Sequence, residues 1–215
     1  MKHVGLAVLL SLKHKFIFLH IPKTGGTSVK KALEHVSEDI RPHLISQAKA
    51  YVAKRLANGL STNPPHLCLN SAAEMLDINL EDFIVVCVVR HPVDRIVSYY
   101  KYLKNVNKKH RLHNVANTSD FTGFVRKFIS DANHDTRPQF SYFAPNKDLI
   151  VGGHIVLRYE SLDDDFAQMQ SHLGLRGVKL PRLNRSTSEE IEVSDVSKQY
   201  LMDFEAETVE LMRYA

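Results

Sequence analysis

The sequence predicts an α/β domain with a central parallel β-sheet flanked by helices. Three observations carry that prediction. The apolar runs Phe16–Ile21 and Phe83–Val89 are rich in β-branched and aromatic residues and show no polar alternation. Strands buried on both faces of a parallel sheet read this way. Each run breaks at Pro or Gly and resumes as an amphipathic segment, so strand leads into helix. A third pair repeats the order, with strand Ile155–Tyr159 before helix Ser161–Leu173, and Gly174 at the helix end.

In chain order, the apolar stretch Val4–Leu12 comes first, behind Lys2. It is too short to span a membrane, which takes about 20 apolar residues, and no small-residue cleavage site follows it. It reads as a first strand or an N-terminal helix packed on the core. Phe16–Ile21 leads into a helix from Thr27 to Val36. Ser46–Ala57 has helical spacing through Ala48, Tyr51, Val52 and Leu56. Asn63-Pro64-Pro65 is a break, and Ser71–Leu76 a short helix capped by Ser71, with Glu74 placed for a capping box. After Phe83–Val89, Pro92 is placed to open a helix through Leu103. Asn105–Ser119 is polar and reads as a loop, Asp120–Ser130 as a helix. Leu180–Ser188 holds too many Pro, Asn, Arg and Ser residues for a regular element. Asp195–Arg213 closes the chain as one helix. No repeat or linker divides residues 1–215, so one domain is expected.

A length of 215 residues suits one well-buried core. The net charge of +4 suits an anionic ligand but is too dispersed to argue for nucleic acid. Lys108-Lys109-His110-Arg111 is the one dense basic cluster and reads as a solvated loop or helix end. Two cysteines, Cys68 and Cys87, make no disulfide framework, which points to a reducing, cytoplasmic setting. His110-x-x-His113 lacks convergent ligands and the cysteines have no ligand spacing, so no metal site is expected.

The chemistry concentrates in two segments. Pro22-Lys23-Thr24-Gly25-Gly26-Thr27-Ser28 joins the first buried strand to its helix. The glycines let successive amide N–H groups turn inward, the helix N-terminus adds partial positive charge, and Lys23 adds a full one. Thr24, Thr27 and Ser28 bring hydroxyls. This is an anion cradle for a phosphate or sulfate ester. It differs from the common P-loop, in which Lys follows the last Gly.

Arg90 ends the second buried strand, where a magnesium-binding Asp would otherwise be expected. Open α/β sheets bind ligands at such strand ends. Ser98 lies further along the following helix and can share one phosphate with Arg90 if that helix runs back beside the strand end. Arg90 capping the sheet against Asp94 or Glu74 is the competing structural reading.

These two segments, Pro22–Ser28 and Arg90-His91-Pro92-Val93-Asp94-Arg95-Ile96-Val97-Ser98-Tyr99, resemble the sulfotransferases that use 3′-phosphoadenosine 5′-phosphosulfate (PAPS). The likeness is to the carbohydrate-type branch, with heparan and chondroitin sulfotransferases and small bacterial relatives. Tyr159-Glu160-Ser161-Leu162 and Leu180-Pro181-Arg182-Leu183-Asn184-Arg185-Ser186 extend it in the family's order. The resemblance implies a P-loop-like sulfotransferase fold in which Pro22, Lys23, Thr24, Gly25, Gly26, Thr27 and Ser28 wrap the 5′-phosphosulfate. Arg90 and Ser98 would hold the 3′-phosphate, and Arg185 and Ser186 would lie over the nucleotide. Lys23 would also neutralise the leaving oxygen, and adenosine 3′,5′-bisphosphate would be the product. His134, Arg137 and Gln139 would line the acceptor cleft, and Arg158 and Glu160 would form a supporting ion pair.

Sulfuryl transfer to an alcohol needs a general base, worth about 10²–10⁴-fold. Among 12 histidines, His66 is the choice, because the rigid Asn63-Pro64-Pro65 turn presents it. Its His-Leu pair ahead of Ala73-Glu74-Met75-Leu76 also matches small family members. His43, in a similar Pro-His-Leu context, is the alternative. His20 reads as packing or loop support. The resemblance implies a hydroxyl-bearing acceptor, a glycan or glycolipid, and a cytoplasmic enzyme of bacterial type. Two rival readings are an ATP- and magnesium-dependent kinase and a binding protein that has lost its chemistry.

Overall fold

The computed structural model describes residues 8–38, 68–76, 78–131, 136–144, 152–183 and 190–214. Four strands, β1 (Val8–Ser11), β2 (Phe16–Leu19), β3 (Ile84–Val89) and β4 (Gly153–Arg158), form one sheet in the order β1-β2-β3-β4. β2, β3 and β4 run parallel, with Phe16 opposite Ile84 and Ile84 opposite Gly153. β1 pairs antiparallel with β2, so the sheet is mixed where the sequence predicted a parallel one. The cause is local: the turn Leu12–Lys15 is too short for a crossover, and short connections join only antiparallel strands. Glu38 holds that turn by accepting from the backbone N–H groups of Leu12 and Lys13.

The unbroken apolar runs are explained by burial on both faces. Ile17, Leu19, Val85, Cys87 and Val89 pack into one core, with Leu69, Ala72 and Tyr142. Phe16, Phe18, Val86 and Val88 pack into the other, with Val29, Leu33, Phe166 and Met169. The alternation of side chains along each strand divides them in this way.

Helices cover both faces. α1 (Gly26–Leu33) follows β2 and passes into a 3₁₀ turn, Glu34–Val36; α2 (Leu69–Leu76) precedes β3. α3 (Pro92–Asn105) opens on Pro92, as the sequence predicted. α7 (Leu162–His172) packs beside β4. A third cluster lies off the sheet, where α3 meets α4 (His113–Thr118), α5 (Phe121–Ser130) and α8 (Asp195–Phe204). α4 falls inside the stretch read as loop; its polar sequence hides a one-sided anchor, with Leu112 just ahead of it and Ala116 within it both buried. α6 (Phe140–Phe143) was also not legible. The closing helix is two helices, α8 and α9 (Ala206–Met212), broken at Glu205. The helical spacing expected over residues 46–57 lies outside the described residues.

Candidate active site

The three parallel strands end at one edge of the sheet, and the chain leaving each contributes to a common site. Behind β2, the loop reverses through two residues in the left-handed region, Lys23 at φ 66° and Gly25 at φ 82°. Thr24 is fully buried and its hydroxyl donates to the Ile21 carbonyl at 3.0 Å, pinning the loop to the strand end. The Ser28 N–H donates to the Gly25 carbonyl at 3.1 Å and closes the first turn of α1. That helix has no acidic residue in its first turn, so its positive end is not offset from within. A Cβ on Gly26 would stand 2.6 Å from His20 Cδ2, so the imidazole ring would have to move to admit one. His20 thus flanks the loop, in the supporting position its strand neighbourhood suggested.

Two cations face this loop. Lys23 Nζ lies 4.3 Å from the centroid of the Tyr102 ring on α3. The Arg90 guanidinium, just beyond β3, lies 4.2 Å from the centroid of Tyr159, just beyond β4. Tyr159 also abuts the loop: a Cβ on Gly25 would meet its Cδ2 at 2.5 Å. Burial, and then the charge of Arg90, lower the Lys23 pKa below the ordinary lysine value. Arg90 Nε is buried and has no hydrogen-bond partner among the described residues. Nor does an ion pair tie Arg90 to Asp94 or Glu74 among them. The competing structural reading of Arg90 therefore has no support.

Arg95, one turn into α3, is the opposite case. It is 0% exposed and each of its three guanidinium nitrogens has a partner. Nε donates to the Pro22 carbonyl at 3.2 Å, two N–H groups reach the Arg137 carbonyl, and Nη1 meets Glu205 Oε1 at 2.5 Å. Of two arginines on one strand–helix segment, one has every guanidinium nitrogen bonded inside the protein and the other has a buried nitrogen with no partner among the described residues. Ser98 is half-buried on α3, three residues after Arg95 and four before Tyr102. Helix periodicity puts these three on one stripe, and the contacts at both ends of the stripe turn it toward the loop.

The structure thus brings Pro22–Ser28 and Arg90 together, with Ser98 on the helix face turned toward them; Thr27 is exposed. His66, His43, His134, Arg185 and Ser186 lie outside the described residues. The Leu183 N–H donates to Ser28 Oγ at 3.3 Å, which places Leu183 beside the loop. Gln139 does not line a cleft: it is 0% exposed and spends its amide on the Arg90 backbone. Glu160 accepts from the His91 N–H at 2.7 Å and the Tyr214 hydroxyl at 3.0 Å, in place of the expected pair with Arg158. Among the described residues, no group of three His, Cys, Asp or Glu side chains could hold a metal. No helix among them is long and apolar enough to cross a membrane.

Sequence reading gave no role to Arg95, Tyr102 or Glu205. Arg95 carried a signal, a charge set between Pro92, Ile96 and Tyr99 on the apolar face of an amphipathic helix. Glu205 carried none, because its partner is 110 residues away.

A family model described as "Sulfotransferase family" matches residues 7–213. No curated protein and no solved structure matches the chain.

Proposed function

The chain belongs to the sulfotransferase family, and from that premise we propose that it moves a sulfuryl group from PAPS to a hydroxyl, with carbohydrate as the acceptor class. The observation that carries the donor assignment is the contrast between Arg90 and Arg95. A buried guanidinium nitrogen with no partner among the described residues, beside a lysine already destabilised by burial and by that same arginine, suits an anion with more than one charged group.

In this reading the P-loop-like turn of Lys23–Ser28 wraps the 5′-phosphosulfate, and Arg90 with Ser98 holds the 3′-phosphate. Arg185 and Ser186 close over the nucleotide, continuing the chain that Ser28 anchors at Leu183. Lys23 donates to the bridging oxygen as the sulfur–oxygen bond breaks, and its lowered pKa makes it a readier proton donor. His66, or His43 as the alternative, takes the acceptor proton as the new sulfur–oxygen bond forms. Loose in-line transfer leaves the protein mostly positioning and charge stabilisation to perform, which a rigid cationic cradle suits. The carbohydrate acceptor and a cytoplasmic setting rest on the sequence resemblance and on two free cysteines.

The test is ligand stabilisation followed by transfer. Adenosine 3′,5′-bisphosphate is expected to raise Tm well beyond AMP or ATP, and label from ³⁵S-PAPS is expected in glycans of an acceptor panel. Equal shifts from AMP and the bisphosphate refute the 3′-phosphate site. Magnesium-dependent ATP turnover would favour a kinase instead.

A further inference from the structure

The two anion-binding halves are joined through the protein interior by one chain of hydrogen bonds. At the loop end, Arg95 Nε holds the Pro22 carbonyl, the residue before Lys23. At the strand end, Gln139 holds both backbone groups of Arg90. Its Nε2 donates to the Arg90 carbonyl and its Oε1 accepts the Arg90 N–H, both at 2.9 Å. Glu205 connects the two: Oε1 meets Arg95 at 2.5 Å and Oε2 accepts the Gln139 N–H at 2.8 Å. Thr208 adds a hydroxyl donor to Oε2 at 2.9 Å. Arg95, Gln139, Glu205 and Thr208 are all 0% exposed.

Ion pairs this deeply buried add little stability over apolar packing of the same volume. What apolar packing cannot do is grip two backbone segments at a set separation. This chain of bonds grips one segment through the Pro22 carbonyl and the other through both peptide groups of Arg90. It also draws its carboxylate from the break between α8 and α9, where Glu205 leaves helical geometry and turns inward.

We propose that the Arg95–Glu205–Gln139 chain is a positioning brace that sets the spacing between the Pro22 loop and Arg90, selecting nucleotides with two separated phosphate groups. The inference rests on the two-ended donor reading above. Once one phosphate is seated, the second engages intramolecularly, and its gain depends on the sites being held at the ligand's own spacing. A ligand with one phosphate engages one half and gains nothing from the brace. Loosening the brace therefore penalises the two classes unequally. General loss of structure would penalise both.

The experiment is calorimetric titration of the full chain with adenosine 3′,5′-bisphosphate and with AMP, for wild type and Gln139→Leu. This substitution leaves the loop and the Arg95–Glu205 pair in place and removes the grip on Arg90. The expected result is roughly tenfold weaker bisphosphate binding with AMP affinity changed by less than about threefold. A wild-type preference for the bisphosphate that survives in Gln139→Leu, or equal losses of both ligands, overturns the brace alone. A wild type that binds both ligands equally overturns the two-ended reading and the brace with it. Thr208→Val, which keeps shape and deletes the donor to Glu205 together with the acceptor of the Phe140 N–H, carries the same comparison should Gln139→Leu fail to fold. A selective loss of about twofold or more is expected there, and unchanged selectivity overturns the brace.

Discussion

The Arg90 guanidinium stacks 4.2 Å from the Tyr159 ring centroid, and that same ring stands where a Cβ on Gly25 would have to go. One aromatic side chain therefore sets the position of a cation from β3 and the backbone of the loop behind β2. The loop glycine does two jobs. It supplies a left-handed φ of 82° and leaves room for the ring.

Gly25→Ala is expected to be destabilising for both reasons. The left-handed conformation alone costs about 1–2 kcal/mol for a residue with a Cβ, and the 2.5 Å contact adds displacement of Tyr159. Because the loop backbone is distorted and the ring on which Arg90 stacks is displaced as well, bisphosphate affinity should fall at least about tenfold, more than loss of the stacking alone would cause. Denaturant titration of Gly25→Ala, Tyr159→Ala and the double variant checks the mechanism. The double variant should be more stable than the sum of the singles predicts, since truncating the ring removes the clash but not the backbone strain. Additive losses would refute the shared-space explanation.

Tyr159→Phe keeps the ring and should bind the bisphosphate like wild type. Tyr159→Leu removes the cation–π partner of Arg90, an interaction worth about 0.5–1 kcal/mol at a partly exposed site. A two- to fivefold weaker Kd is expected. A loss in Tyr159→Phe equal to that in Tyr159→Leu would assign the effect to the hydroxyl instead.

Lys23→Met separates function from stability. Burial and Arg90 both disfavour the charged ammonium, and φ 66° strains its backbone in either variant. Removing the charge should leave Tm at or above wild type while sulfuryl transfer collapses, by about 10²-fold or more. A Tm several degrees lower would mean that the ammonium stabilises the fold, and the electrostatic reading would fail.

The same lysine sets a pH dependence with opposite signs for folding and binding. Its folded pKa lies below the ordinary 10.5, so above that folded value the unfolded chain holds the proton that the native chain has released. Native stability from this group therefore rises as pH climbs through the folded pKa and levels off past 10.5. A bound anion favours the charged form, so bisphosphate affinity falls over the window in which stability rises. Lys23→Met should remove both slopes, and persistence of either would assign it to another group.

The two thiols should react in sequence. Burial alone pushes the Cys87 thiol far above its ordinary range, at the centre of β3. Burial also opposes the Cys68 thiolate, but the Ser71 hydroxyl and N–H and the Arg137 charge outweigh it and hold that pKa down. A thiol-specific reagent should modify Cys68 in the native protein and Cys87 only on unfolding, as mass spectrometry of peptides would show. Native labelling of Cys87 would mean that the sheet opens far more readily than its burial implies.

Much of the site was legible because its parts are local. Strand, loop and helix around Pro22–Ser28 follow from an apolar run, two glycines and a resumed helical pattern, all within reach of one another along the chain. Arg90 at a buried strand end and Pro92 opening α3 were legible for the same reason. The antiparallel β1 was not legible: the apolar stretch Val4–Leu12 left strand and helix open, and the short turn that forces antiparallel pairing shows only once the strand ends at Ser11. What only the tertiary structure decided is which distant side chains meet. Tyr159 reaches Gly25 because β2, β3 and β4 run parallel and finish at one edge. Arg95 finds Glu205 because α8 folds back on α3 and breaks where the carboxylate must turn inward. Periodicity records which face of an element is buried, since that depends on neighbours a turn or a pleat away. It does not record the partner across the core, which strand register and helix packing select.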